Sequence, residues 1–374
     1  MKKSSLLLLA AGLTSGGAAF AQSNVTIYGI VDTSIHYLSN ANAQGNSNVR
    51  MDNGAIANSR IGFKGTEDLG GGLKAMFQLE NGFNSDTGAM SNSGVLFNRQ
   101  SWVGLQGGFG KVRVGRQNTP MFDLLADHFD PLTVGNYASN SWLPVAATLA
   151  RRSNMLRYDG DFGPVSASVS WGFGETAGSV RTGSQFGSSL RYTAGAFAVG
   201  GGYQQTVSGT DSSLKHTSWT LSASYDFGPA KVFGGWINIK DNSGITGSVM
   251  AADSDIGTQW TSAGTLAAAA NNQRKDNGFF LGSSYKATNA LTLTGAFYYD
   301  RSKNVAYVAP VGNVGDGKRY ALVGWADYAL SKRTQLYTTI DYNKAKDAAV
   351  YELTNSASGK NSLTTVGVGI RHIF

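Results

Sequence analysis

The sequence predicts an all-β fold, a 16-stranded antiparallel transmembrane β-barrel with short turns at one end and long loops at the other. Three observations carry it. Apolar residues recur at every second position from the end of a short leader to the last residue: Val366, Val368, Ile370, His372 and Phe374 share one parity, Thr365, Gly367, Gly369 and Arg371 the other. A strand sets those two sets on opposite faces. Beyond Gln22 no run is long and apolar enough for a membrane helix, which needs about 20 residues. Tight turns alternate with long loops, and a polar face repeated along such a chain is met by closing the sheet with its apolar face outward.

The first 21 residues read as an export signal. Lys2 and Lys3 make a basic start, Leu6 to Leu13 an apolar centre, and Ala19, Phe20 and Ala21 a small-x-small cleavage site. Residues 22–374 then form the barrel. The mean hydropathy of -0.17 looks soluble, because alternation hides a lipid-facing surface inside the average. The chain has no cysteine, so export brings no disulfide framework, and a closed hydrogen-bond ladder in lipid supplies the stability instead. A secreted β-sandwich or β-solenoid is the bland alternative on pattern alone. The net charge of +7 includes two leader lysines. The remaining bases form no run or patch in the sequence and lie on the parity opposite the aromatics, which argues against nucleic acid.

In order along the chain, Val25, Ile27, Gly29, Val31 and Ile35 take one face of the first strand, with Thr26, Tyr28, Asp32 and Ser34 on the other. Ser59 to Thr66 turns Ile61 and Phe63 outward and Arg60 and Lys64 inward; after Asp68 to Gly72, Leu73 to Phe83 returns with Lys74, Gln78 and Glu80 inward. Further turns fall at Gly107 to Gly110, Asp159 to Pro164, Ala194 to Ala196, Asp226 to Pro229, Ala287 to Ala290 and Ala329 to Arg333. Seven turns join seven pairs, and the first and last strands make sixteen. Val165 to Phe173, Thr217 to Tyr225, Leu291 to Tyr299 and Thr334 to Tyr342 alternate cleanly. Long loops are expected near 39–58, 84–96, 119–150, 174–184, 206–216, 241–275, 301–317 and 344–360. All six prolines avoid strand interiors. Phe162, Phe197, Tyr225, Tyr285, Tyr328 and Phe374, beside the short turns, form an interfacial girdle.

Sixteen strands leave an aqueous lumen, so the architecture itself predicts passage of small hydrophilic solutes unless a loop plugs it. Catalysis finds little support. His36, His216 and His372 lie away from a lumen site, and no Gly-x-Ser-x-Gly elbow joins a strand to a helix. No cysteine or histidine pair has metal-ligand spacing, and no cofactor is expected. Asp253 and Asp255, in an outer loop, leave open a divalent or lipopolysaccharide-bridging ion. Gly110-Lys111 is followed by Val112 where a phosphate loop needs Ser or Thr.

Tyr28 to Asp32, Ser59 to Ala75 and Val114 to Gln117 closely resemble the trimeric general porins of Gram-negative outer membranes, nearest to the beta-proteobacterial type. The resemblance spans the chain after the leader and includes the terminal Phe374, which it implies is read during barrel assembly. It further implies a homotrimer in contact with lipid and lipopolysaccharide. Its third loop, about Thr119 to Ala150 here, would fold into the lumen. Arg60, Arg99 and Arg152 would form a basic wall, faced by Asp123, Asp127 and Asp130 on that loop, with Lys64 and Lys74 lining the lumen. Asp123 and Asp127 are four residues apart, which a short helix would present on one face. Arg99 shares parity with Val103 and Leu105, so alternation alone does not turn it inward. Ile30 stands where some relatives carry a wall lysine. Together these imply a diffusion channel with modest anion preference. A substrate-specific channel and a structural or adhesive barrel stay open as alternatives.

Overall fold

The computed structural model describes residues 24–42, 44–134, 142–246, 273–306, 313–352 and 360–374. The proposed leader 1–21, Asp253, Asp255 and Pro310 lie outside them. The described chain forms one antiparallel sheet of 17 strands closed on itself. These are β1 (Asn24–Leu38), β2 (Asn48–Asp52), β3 (Arg60–Gly70), β4 (Leu73–Gly82), β5 (Gln100–Gly107), β6 (Gly110–Asn118), β7 (Arg151–Phe162), β8 (Val165–Gly172) and β9 (Gln185–Ala194). There follow β10 (Phe197–Val207), β11 (Lys215–Asp226), β12 (Ala230–Asp241), β13 (Arg274–Lys286), β14 (Leu291–Ala306), β15 (Asn313–Ala329), β16 (Thr334–Asp347) and β17 (Ser362–Ile373).

β2 and β3 lie end to end along β1: Ser34 to Leu38 pair with Asp52 to Asn48, and Asn24 to Ile30 with Thr66 to Arg60. They count as one stave, so 17 strands make the expected 16-stave barrel. β1 pairs on its other edge with β17, from Ile30 with Ile373 to Leu38 with Thr365. Phe374 completes the seam: its N–H donates to the Gly29 carbonyl and its carbonyl accepts from the Gly29 N–H, both at 3.0 Å. Gly29 is required there, because a Cβ would run into the Phe374 ring and the Arg60 carbonyl.

The alternation reads out as predicted. Ile27, Ile35, Val368 and Ile370 are exposed outward, while Asp32, Ser34 and Thr365 are buried inward. All six aromatics of the short-turn girdle are exposed. Each turn is closed by local chemistry. At Asp226-Phe-Gly-Pro229 the Asp226 carboxylate accepts the Gly228 N–H at 2.8 Å, and Gly228 takes φ 91°, a left-handed value that disfavours a side chain. The related Asp161-Phe-Gly-Pro164 places Gly163 at φ 64°.

Two loop expectations are corrected. The stretch 39–58 is not all loop: it contains β2 and then turns inward, burying Gly54, Ala55, Ile56 and Ala57. Asp32 holds that detour, accepting the Ala57 N–H at 2.8 Å and the Tyr337 hydroxyl at 2.5 Å. Tyr337 in turn accepts the Ala55 N–H at 2.9 Å. The stretch 301–317 is mostly strand, since β14 runs to Ala306 and β15 begins at Asn313. Charged residues on the outward parity, Arg301, Lys303 and Asp316, made those strand ends look like loop.

Gly29→Val should therefore lower the thermal midpoint of the folded barrel, with an overpacking cost of about 1–3 kcal/mol. The measurement is the temperature at which the compact, SDS-resistant form is lost; an unchanged midpoint would mean the seam tolerates a displaced Phe374 ring.

Candidate functional site

The segment between β6 and β7 carries α1 (Pro120–Leu124), a π-helical turn (Leu125–Phe129) and α2 (Trp142–Thr148). Thr119 caps α1 by accepting the Phe122 N–H at 3.2 Å, and Pro120 occupies the first turn, where its missing N–H costs nothing. The segment docks on the inward parity of the wall. Leu124, Leu125, Phe129, Leu132, Trp142 and Leu143 form one apolar cluster with Ile237, Ile239, Phe280, Tyr298 and Val323. Ser218 donates to the Ala147 carbonyl at 2.5 Å and Gln204 to the Thr148 carbonyl at 2.9 Å. Glycines make the room: a Cβ on Gly200 would meet Phe129 at 2.8 Å, and one on Gly202 would meet Met121 at 3.1 Å.

Asp130 belongs to this docking. It is buried, accepting the Tyr298 hydroxyl at 2.5 Å and the Val134 N–H at 2.6 Å. Burial pushes its carboxyl up to about 6. It anchors the loop and is not an open charge facing the arginines, because the hydrophobic residues on either side carry it into the wall. Asp123 and Asp127 do lie on one side of the helical turns and line one cavity. Asp123 pairs with Arg157 at 2.6 Å and accepts from Asn118 at 2.7 Å. Asp127 keeps solvent access within the cavity; partial desolvation of its carboxyl by the surrounding protein and then the charge of Asp123 raise it to about 6, against the opposing pull of Arg157 and Arg191.

The three wall arginines separate. Arg60, at the start of β3, lies within electrostatic reach of Arg99, Glu80 and Arg151. Arg99 is buried and bound to Glu80 at 2.7 Å, whose other oxygen accepts the Tyr28 hydroxyl at 2.7 Å. It turns inward despite its parity because it precedes the first residue of β5, Gln100, where alternation begins. Arg152 instead donates to the Gly183 carbonyl, near Arg116 and Glu175. The residue brought to Arg60 is its neighbour Arg151, whose guanidinium stands 5.6 Å over the Phe122 ring of α1. A left-handed Asn154, φ 56°, and a register shift between Gly115 and Gln117 interrupt β7 here, so the adjacent Arg151 and Arg152 do not follow the alternation of the rest of the strand. Lys64 is inward, its ammonium 5.2 Å over the Tyr28 ring, and Lys74 is exposed beside the short turn.

Sequence reasoning missed a second basic group. A cavity of about 400 Å³ between the loop and the β4–β9 wall is lined by Lys111, Arg113, Arg157 and Arg191, with Asp123, Asp127, Asp159 and Asp161. Arg157 bridges Asp123 and Asp159, and Arg113 holds the other Asp159 oxygen at 2.6 Å. The signal was available: Lys111 and Arg113 alternate with Val112 and Val114. His128 shares the cavity; burial, then Arg191 and Lys231, depress its imidazole.

Comparison with known proteins agrees with the closed barrel. A profile of the Gram-negative porin family matches residues 5–348. Outer membrane porin protein 32 of Delftia acidovorans is 33% identical over 411 aligned positions, covering 100% of both chains. An outer membrane porin protein of Bordetella pertussis is 32% identical, again over the full length of both. Among solved structures, an anion-selective porin from Comamonas acidovorans superposes with a TM-score of 0.73 at 28% identity, covering 94% of this chain and 100% of that one.

Two measurements check the site. Asp127 is ionised at pH 7 and loses its charge as pH falls through about 6, so the anion-to-cation permeability ratio should rise between pH 7 and 5, and Asp127→Asn should flatten that rise. Tyr298→Phe removes a hydrogen bond to the buried Asp130, a change of about 1–3 kcal/mol, and should increase open-channel current noise as the loop detaches.

Proposed function

This chain belongs to the Gram-negative porin family, and from that premise we propose that it passes small hydrophilic solutes with a preference for anions, set where the 119–150 loop narrows the lumen. The observation that carries the reading is the charge asymmetry at the loop. Arg60, Arg99 and Arg151 gather on the β3–β7 wall with one carboxylate, Glu80, among them. Of the loop acids, Asp130 is buried in the docked face and Asp123 is tied to Arg157. A surplus of cationic wall lowers the barrier for anions and raises it for cations.

The protein is an outer-membrane diffusion channel built as a closed antiparallel barrel. Assembly as a homotrimer is part of the proposal. It is supported by a face of β1, β2 and β17 on which Val25, Ile27, Ile35, Val49, Met51 and Val368 are exposed together, apolar almost to the long-loop end.

Reversal potentials in a salt gradient across a planar bilayer test the selectivity. Arg60→Gln, Arg99→Gln and Arg151→Gln should each lower the anion-to-cation ratio about sevenfold, because ~0.6 kcal/mol between unit charges ~7 Å apart in water acts with opposite sign on the anion and the cation. Arg152→Gln should change it less. Cation preference in the unsubstituted protein, or no effect of all three substitutions, overturns the assignment. Liposome swelling with sugars of graded size tests the diffusion itself; saturable entry of a single sugar would indicate a specific channel instead.

A further inference from the structure

The cavity between the loop and the β4–β9 wall differs in charge from the arginine cluster of the β3–β7 wall. Arg60, Arg99 and Arg151 surround a single carboxylate, Glu80. The cavity instead sets four bases, Lys111, Arg113, Arg157 and Arg191, against four carboxylates, Asp123, Asp127, Asp159 and Asp161. A balanced lining favours neither a lone anion nor a lone cation. It lies between the loop and the short turns, since Lys111 adjoins the Gly107 to Gly110 turn, and Asp161 and Ser166 flank the turn at Gly163. A solute arriving from the long-loop end meets it after the narrowing. Its volume of about 400 Å³ falls among small-molecule pockets, about 300–1,000 Å³.

Part of this lining is neutralised within the protein. Arg157 bridges Asp123 and Asp159, Arg113 takes the second Asp159 oxygen at 2.6 Å, and Ser166 donates to Asp161 at 2.7 Å. Among the described residues, Arg191 and Asp127 enter no ion pair. They are nonetheless within electrostatic reach of each other, one on β9 and the other on the loop, and both line the cavity. Arg191 is held to the wall, its Nη1 donating to the Thr193 hydroxyl at 3.2 Å and its Nη2 to the Ser166 hydroxyl at 3.1 Å. Those two bonds fix the guanidinium and leave further N–H donors for a carboxylate. Asp127 keeps solvent access, whereas its neighbour Asp123 is occupied by Asn118 and Arg157.

We propose that this cavity is a binding site for a small zwitterion, an α-amino acid, whose carboxylate is taken by Arg191 and whose ammonium is taken by Asp127. The route by which the solute reaches it rests on the reading that solutes pass the 119–150 loop. An anion alone would be opposed by Asp127, and a cation alone by Arg191. A ligand that carries both charges satisfies both groups, and its net neutrality suits the balanced lining.

The test measures binding of L-alanine to the full-length protein in detergent by saturation-transfer NMR. L-lactate, which lacks the ammonium, and isopropylamine, which lacks the carboxylate, are the comparisons. L-Alanine should bind saturably, and isopropylamine about tenfold or more weakly, the factor for one lost hydrogen bond between charged groups. Lactate can also collect at the Arg60 wall, so the variants separate the two places. Arg191→Gln and Asp127→Asn should each weaken L-alanine about tenfold, whereas Asp127→Asn should leave lactate unchanged or bind it more tightly. Lys332→Gln, at a distant short turn, should bind L-alanine as the parent does. Retention of the SDS-resistant form establishes that each variant is folded. Ion conductance in a planar bilayer is read in parallel: a conducting protein without saturable L-alanine binding overturns the site but not the channel, and binding without conductance strikes the channel but not the site. Equal weakening of L-alanine and lactate by Asp127→Asn, or undiminished L-alanine binding in both variants, would also overturn the proposal.

Discussion

No backbone N–H or C=O facing hydrocarbon can be left without a partner, and the first strand is where this chain meets that demand. One edge of β1 is taken by β17 and Phe374, the other by β3 and then β2. Closing the ring at β1 removes both sheet edges at once. It also decides the sidedness of every residue, since a slip by one position would exchange the two faces all the way round. The Gly29 and Phe374 contact is thus a register pin as well as a packing contact.

A closed barrel of this size has the opposite interior problem from a soluble domain: its lumen is too wide for wall side chains to fill. The loop between β6 and β7 builds a small apolar core inside the barrel, against β10 and β12–β16, where glycines lower the wall. Its far side is stiffened by the stacking of Arg319 over the Trp142 ring at 4.2 Å. The inward detour at residues 53–59 adds Ala55 and Ile56 to the same cluster. The loop and the detour therefore occupy one side, which leaves the arginine-bearing wall of β3–β9 facing the aqueous cavity. Asymmetry of charge follows from asymmetry of packing.

Much of this was legible in the sequence because period two is a strong, local signal. Strand order, the short turns, the outward girdle and the inward placement of Asp32 and Ser34 all follow from it. What escaped were features that depend on position across strands or on interruptions within one. Arg151 rather than Arg152 stands near Arg60, beside an irregularity of β7 at Asn154 that no local pattern announces. Arg99 turned inward because it precedes its strand. Asp130 became an anchor because its partner, Tyr298, is 168 residues away. The strand hidden in 39–58 was masked by a detour held by Tyr337, 305 residues from Asp32.

The net charge of +7 shows the same limit from another side. It sums populations that never meet. Two charges belong to the leader; a group on β3–β7 faces the water-filled side of the barrel; Arg274 and Arg319 are buried among Asp276, Asp300, Asp341 and Glu352. Lys240, Lys275, Arg301, Lys303, Lys318 and Lys346, on β12–β16, face outward. A buried arginine there neutralises carboxylates that would otherwise be desolvated alone. An outward lysine two strands away has no such partner and can lower its energy only in an aqueous or phosphate-rich layer. Because each strand alternates, acid inside and base outside come from adjacent positions, Lys240 beside Asp241 and Lys275 beside Asp276. In composition those pairs cancel; in the folded barrel they stand on opposite sides of the wall, one supporting the interior and the other exposed at the level of the lipid headgroups.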